Sequence, residues 1–497
     1  MPVLPAVTNM PAADVKALLS PHMQRLTFNH DSYNGLINSI GDVQVVLIGD
    51  GSHGTYEFYA HRANLTKRLI EEKGFNVVAV EADWPDAFRI NRYIHNIKLP
   101  SDGHLPTALS SLQEFQRFPK WMWKNQVMPS FIDFLKSHNA KVFEESGGDP
   151  SRSVSFYGMD LYSLHRSARA VVEYLEIVDP LAAREARIRY NCFERFGEDK
   201  SSYAFANQFD LNQSCASHIL TVLQSLLANG QSYISSQLAS PEHKRLSHPE
   251  EEQFVAEMNA LVVKNAEEYY RRMMSEYVAT WNLRDNHFAH TLQKIHHHLG
   301  PSSSDSKTKT REPAKIVVWA HNSHIGDARH TDMGWRRGEI NLGQRCREIF
   351  GEENVFSLGF LGGRGTVTAA RNWDEPPRLY EMNPPFERSI ERVFDHSTEE
   401  DFYLVMHRIE KDEKGENTKV AVSSRLNEFL NETRYQRFIG VIYRPTTEIP
   451  SHYSRCSLAK QYDAVAYLKW STGIEPLEPE EGWKSAGDLD ETFPFGQ

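Results

Sequence analysis

A chain of 497 residues with a formal net charge of −11 lacks the basic footprint that nucleic acid or an anionic membrane surface demands. Its 40% hydrophobic and 11% aromatic content excludes a disordered chain and, at this length, supplies core enough for two or three domains. No apolar run approaches the ~18–20 residues of a bilayer span, and the start Met-Pro-Val-Leu-Pro-Ala-Val has neither part of a secretory leader, so a cytoplasmic protein is expected. Cys192, Cys215, Cys346 and Cys456 are scattered without metal-finger spacing and read as buried, reduced thiols.

Residues 1–40 read as a helical lead-in, clearest over Ala13–Leu19. The first half of an α/β core follows over 41–160. A strand at Val43–Ile48 leads to a helix from about Thr55 to Lys73 that stops at Gly74, and Val77–Val80 is the next strand. Residues 86–140 look helical and hold Phe118-Pro-Lys-Trp121-Met-Trp123-Lys-Asn125, whose tryptophans either line a substrate pocket or seat a helix on the sheet. Ser155–Met159 is a further strand. From 161 to 300 apolar residues recur at helical spacing, as in Ala168–Glu176, Ile219–Leu227 and Val255–Tyr277, which predicts an inserted all-α domain or lid. His296-His-His298 near its end reads as a solvated helix terminus, and 301–314 as a polar loop. The second half of the core, 315–472, carries strands at Lys315–Trp319, Val355–Phe360, Phe402–Met406, Phe438–Tyr443 and Ala464–Leu468, before a loose tail at 473–497. The alternation predicts an α/β fold, with a mostly parallel central sheet flanked by helices.

Four of these strands stop at polar residues able to move protons: Ile48 before Asp50 and His53, Val80 at Glu81, Met159 at Asp160, and Trp319 before His321 and His324. Ligands of open parallel sheets bind beyond the carboxyl ends of the strands, so these side chains are expected around one crevice. That is the makeup of an acid–base enzyme.

Gly49-Asp-Gly51-Ser-His-Gly54 matches the dinucleotide pattern G-x-G-x-x-G in form only. Asp50 would repel a pyrophosphate, His53 adds bulk where backbone must hug it, and the next strand-end acids come later than a ribose contact needs. No G-x-S-x-G elbow and no G-x-x-x-x-G-K-[ST] loop occurs. His53, Glu81, His321 and His324 are ordinary zinc-ligand types, yet H-x-x-H at a strand end is not the helical i, i+4 pairing of H-E-x-x-H. The preferred reading needs no metal and no cofactor. One histidine is then a general base oriented by a carboxylate, and Arg62, nine residues after His53, reaches back to stabilise an oxyanion.

At these residues the sequence resembles the erythromycin esterase family. The resemblance rests on Ile48-Gly-Asp-Gly-Ser-His53-Gly-Thr-Tyr-Glu57-Phe, Val80-Glu81-Ala-Asp83-Trp, Trp121-Met-Trp-Lys-Asn125, Phe156-Tyr-Gly-Met-Asp160 and Trp319-Ala-His321-Asn-Ser-His324-Ile-Gly-Asp. It continues through Met333-Gly-Trp-Arg-Arg-Gly-Glu339, Gly365-Thr-Val-Thr-Ala, Gly440-Val-Ile-Tyr-Arg-Pro445 and Ser451-His-Tyr453. It implies hydrolysis of a cyclic ester, as in macrolide lactones, by histidine-activated water; the expected reaction here is cleavage of an ester or lactone of a bulky small molecule. His53 would be the base, with Asp50, Glu81, Arg62 and His321 completing the catalytic set and His324 close by; the strand-end and aromatic patterns add Asp160, Trp121 and Trp123 as candidate substrate contacts. One departure stands out: the family usually has Glu where this chain has Asp50, one methylene shorter. A metal-dependent hydrolase on the same residues and a binding protein with weakened catalysis remain as alternatives.

Overall fold

The apolar runs become strands because they are covered on both faces. Val45–Ile48 and Ile316–Trp319 are buried at every residue, the continuous apolar pattern expected of parallel strands between helical layers. The structure is a computed structural model that describes residues 11–97, 107–148, 152–194, 215–239, 248–300 and 313–478. The expected polar loop at 301–314 and tail at 473–497 fall mostly outside these residues, as does the start of the lead-in. Within the lead-in, a helix spans Ala12–Leu19.

Thirteen strands are described: β1 (Gln24–Arg25), β2 (Val45–Ile48), β3 (Val77–Asp83), β4 (Ser155–Asp160), β5 (Ile316–Trp319), β6 (Val355–Ala369), β7 (Arg378–Glu381), β8 (Phe402–Val405), β9 (His407–Lys411), β10 (Asn417–Ala421), β11 (Arg434–Arg437), β12 (Tyr453–Cys456) and β13 (Ala464–Ser471). The main sheet runs β1-β8-β13-β6-β2-β5-β3-β4, with β7 on β6. Its middle is parallel: β2 pairs with β5 and β6, and β13 with β6. The additions β8, β1 and β7 are antiparallel. The mostly parallel α/β reading therefore holds.

The chain divides into two compact units. The first comprises 1–78, 107–155 and 313–497, so it holds the sheet from β1 to β5 and the opening residues of β3 and β4. There Val77 N–H donates to Lys315 O and Ser155 N–H to Asn76 O. The helix Tyr56–Lys73 ends at Gly74, whose φ of 70° is the left-handed cap that predicted the stop. At Gly54 a Cβ would lie 1.7 Å from the Thr368 carbonyl oxygen, so only glycine admits the contact between this loop and β6.

The second unit comprises 79–106 and 156–312. Its helices Leu164–Val178, Pro180–Glu194, Ala216–Ala239 and Pro249–Arg272 bury Val171, Leu175, Ile219, Leu226, Ala260 and Val263 in one core. The helix Tyr277–Leu299 follows. Among the described residues no helix is long and apolar enough to cross a membrane.

Four local expectations are corrected. Phe438–Tyr443 is not a strand: it makes only single bridges, Ile439 with Ser52 and Ile442 with Ala370, while the preceding Arg434–Arg437 forms β11. Glu81 lies inside β3, which runs on to Asp83, and Asp160 is the last residue of β4. Cys192 and Cys215 form a disulfide, leaving Cys346 and Cys456 as buried free thiols. His298 is no solvated terminus, since its ring stacks 3.9 Å from that of Phe254 and its Nε2 lies 2.8 Å from Glu251 Oε2.

Candidate functional site

Strand register assembles the first cluster. Ile48 is level with Trp319 of β5 and Leu358 of β6, so the residues just beyond β2 and β5 emerge side by side. Asn322 N–H donates to Asp50 O at 2.8 Å, and the Asn322 side-chain amide donates to Phe360 O at 2.7 Å. On the other side His53 N–H donates to Ile439 O at 3.2 Å, and Ile439 N–H to Gly51 O at 2.9 Å. The histidine loop is thus fastened on both flanks by backbone bonds. That is why it can hold side-chain positions although it lies outside regular structure.

Asp50 is the centre of this cluster and is fully buried. Its Oδ2 lies 2.7 Å from Arg62 Nη1, and its Oδ1 lies 3.4 Å from His53 Nδ1. The His321 ring is 4.8 Å from that of His53, centroid to centroid. Burial alone would raise the Asp50 carboxyl, but the charges of Arg62, His53 and His321 outweigh it and hold the group below its ordinary value. Arg62 is itself buried, with its guanidinium 4.5 Å over Tyr59 and 5.1 Å over Trp319. Its Nε and Nη2 have no hydrogen-bond partner among the described residues. Arg62 therefore sits behind Asp50 as its counter-ion, a different place from the oxyanion position expected from sequence.

His321 Nδ1 is 2.8 Å from Ser323 Oγ, which fixes the ring where the strand becomes the short helix Asn322–Ile325. His324 lies in that helix and is buried. Ser52 Oγ is committed to Thr55 Oγ1 at 2.5 Å. Trp121 and Trp123 are also buried, and the Trp123 ring packs edge-on against Tyr59, one of the rings over which Arg62 lies, at 6.5 Å. Among the described residues no group of three or more His, Cys, Asp or Glu side chains is arranged to hold a metal ion.

Glu81 and Asp160 converge on one cation inside the second unit. Arg284, on Tyr277–Leu299, places Nη2 2.8 Å from both Glu81 Oε1 and Asp160 Oδ2, and its Nε donates to Asp160 Oδ1 at 3.0 Å. Its guanidinium lies 4.9 Å over each of Tyr162 and Phe288. Burial would lower the Arg284 pKa, but Asp160, Tyr162 and Glu81 more than offset it and keep the cation protonated. Sequence reasoning missed Arg284 because a single arginine in a long helical run reads as surface charge. The available signal was its place one turn before Phe288 on a buried face, combined with two strand acids lacking a cation.

Comparisons with known proteins place the chain among relatives of known fold. The chain is 21% identical over 352 residues to erythromycin esterase type II of Escherichia coli, covering 69% of this chain and 74% of the relative. A succinoglycan biosynthesis protein has a similar structure, with TM-score 0.67, 18% identity and coverage of 94% of this chain and 99% of the other. A mutant of erythromycin esterase EreC in its open conformation aligns with TM-score 0.59 and 16% identity over 93% of this chain and 98% of that one. These likenesses show the fold. The model of the erythromycin esterase family matches residues 70–471, most of the sequence, and the chain belongs to that family.

Proposed function

We propose that this protein is a hydrolase of carboxylic esters or lactones borne by small molecules, acting through water activated by His53. The observation that carries the reading is the buried Asp50 carboxylate held between Arg62 and the His53 imidazole. Family membership supports the reaction class. On this reading Asp50 Oδ1, 3.4 Å from His53 Nδ1, takes a hydrogen bond from that nitrogen once substrate is bound and leaves Nε2 as the base. The 3.4 Å separation is long, as such contacts commonly are before substrate binds. Water loses a proton to Nε2 as its oxygen bonds to the carbonyl carbon. The carbonyl electron pair becomes an oxyanion, which His321 stabilises. When the tetrahedral species collapses, the C–O bond to the alcohol breaks and His53 returns the proton to the departing oxygen. Acid and alcohol are released and the imidazole is restored.

A covalent route has little support. Cys456 is buried and its thiol is pushed far up by burial, which disfavours a thiolate nucleophile. The test is a panel of lactones and esters screened by mass spectrometry for gain of one water, followed by a single turnover in ¹⁸O-water with excess enzyme. Label in the acid, without an intermediate trappable by hydroxylamine, is the expected result. An acyl adduct on Ser52 or a cysteine would replace the water mechanism, and no turnover across the panel would favour a binding role.

A further inference from the structure

Beyond the histidine loop, the first unit gathers three arginines around one tyrosine. Register on β7 sets Arg378 opposite Ala369 and Tyr380 opposite Val367. Arg371 follows Ala370, whose N–H donates to Val441 O at 2.8 Å and whose carbonyl accepts from Tyr443 N–H at 3.0 Å. Arg444, next in the chain, donates from Nε to Arg371 O at 3.3 Å and from Nη2 to Asn372 Oδ1 at 2.8 Å. The rings of Tyr380 and Tyr443 meet edge-on at 5.8 Å; burial raises the Tyr380 hydroxyl, and Arg378, Arg371 and Arg444 act against that rise while Glu375 adds to it.

Two features set this patch apart from ordinary surface charge. Arg371 and Arg378 are half-buried, yet neither guanidinium has an acidic partner within 4.0 Å among the described residues. Glu375, between the two arginines in the chain, accepts instead from the Asn372 amide at 2.6 Å. Trp373 beside them is 52% exposed and offers a flat apolar face. The patch is also tied to the candidate catalytic loop. Ile439, which bonds to both Gly51 and His53, precedes Arg444 by five residues, a backbone span of no more than about 18 Å. Thr368 N–H donates to Gly54 O, and Thr368 pairs with Leu379 of β7, so the loop and β7 are about two strand spacings, ~10 Å, apart.

We infer that Arg371, Arg378 and Arg444, with Tyr380, bind an oxyanion of the substrate, a carboxylate or sulfate carried roughly 10–18 Å from the ester carbonyl. The inference rests on the hydrolase reading and adds the substrate's charge to it. A substrate with an ammonium group at that distance is disfavoured by the same arginines.

The experiment compares esters of one alcohol whose acyl chains end in a methyl, a carboxylate, a sulfate or a trimethylammonium group. Wild-type protein should favour the anionic esters over the methyl ester by about 10–100-fold in kcat/KM, mainly through KM, with the cationic ester slowest. Arg371→Gln/Arg378→Gln should erase that preference while the methyl ester is hydrolysed as before. Equal rates for the methyl and anionic esters would overturn the inference and leave the hydrolase reading standing. Should none of the esters react, the subsite is read directly from Trp373 fluorescence during titration with sebacate and with inorganic sulfate. Saturable quenching lost in the double variant supports the subsite, and no saturable change up to about 10 mM overturns it. Response to sebacate alone would assign a carboxylate chain; response to both would assign a general oxyanion site.

Discussion

The two clusters that pair an arginine with buried carboxylates use the same ingredients in opposite ways. In the second unit Arg284 spends its fork on two carboxylates, Glu81 and Asp160, through three contacts of 2.8–3.0 Å, a saturated arrangement. In the first unit Arg62 gives one nitrogen to Asp50, and the carboxylate's other oxygen faces an imidazole. Saturation holds a structure in one state. Sharing a carboxylate between a fixed cation and a titratable ring leaves one partner able to gain and lose a proton, which acid–base chemistry requires. On the proposed mechanism, proton transfer falls to the first cluster and a fixed, structural role to the second.

The sharpest way to break it is His53→Ala. Hydrolysis of a confirmed substrate should fall by about 10²–10⁴-fold while the far-UV circular dichroism and the thermal midpoint stay near wild type. Near-normal turnover would remove His53 from the chemistry. Arg284→Met should show the opposite signature, a loss of about 3–5 kcal/mol in chemical denaturation, because two buried carboxylates lose their cation. Lysine substitutions sharpen the contrast. Lysine supplies one charge but no fork, so Arg284→Lys should cost about 1–3 kcal/mol and Arg62→Lys less, since Arg62 makes a single carboxylate contact. Equal losses would mean that the Arg62 fork matters as a whole.

A subtler test uses pH. The Asp50 carboxyl is held below its ordinary value in the folded protein, so the folded state binds fewer protons there than the unfolded chain. Its contribution to stability is complete above the unfolded value, ~3.9, and is lost as pH falls through the folded one. Arg62→Met removes the largest lowering influence and leaves burial to raise the group. The stability gap between wild type and this variant should therefore be widest near neutral pH and narrow below about pH 4, measured by urea unfolding across the range. A gap independent of pH would show that Asp50 is not the charge Arg62 neutralises. The smallest expected effect is that of chelation: prolonged dialysis against a chelator should leave turnover unchanged, and a loss restored by zinc would recast His53, the base, and His321, the oxyanion partner, as metal ligands.

Much of this protein was readable in one dimension. Strands buried on both faces must be apolar at every position, so Val45–Ile48 and Ile316–Trp319 declare themselves, and the polar residues that follow mark the sheet edge. Gly74 ends its helix because only glycine takes the left-handed conformation at no steric cost. The same local logic found Asp50, His53 and His321 as residue types suited to one site.

What the sequence left open depends on partners distant in the chain. Phe438–Tyr443 has the composition of a strand, but its amides bond to Gly51 and Ala370, so it becomes a brace for the histidine loop instead of a member of the sheet. Arg62 lies within reach of its own loop, yet stacking between Tyr59 and Trp319 turns it onto Asp50. Arg284 finds acids 203 and 124 residues away, and Cys192 meets Cys215 because their Cα atoms are brought within 5.9 Å. Such pairings follow from how helices and strands pack, and no local period in the sequence encodes them.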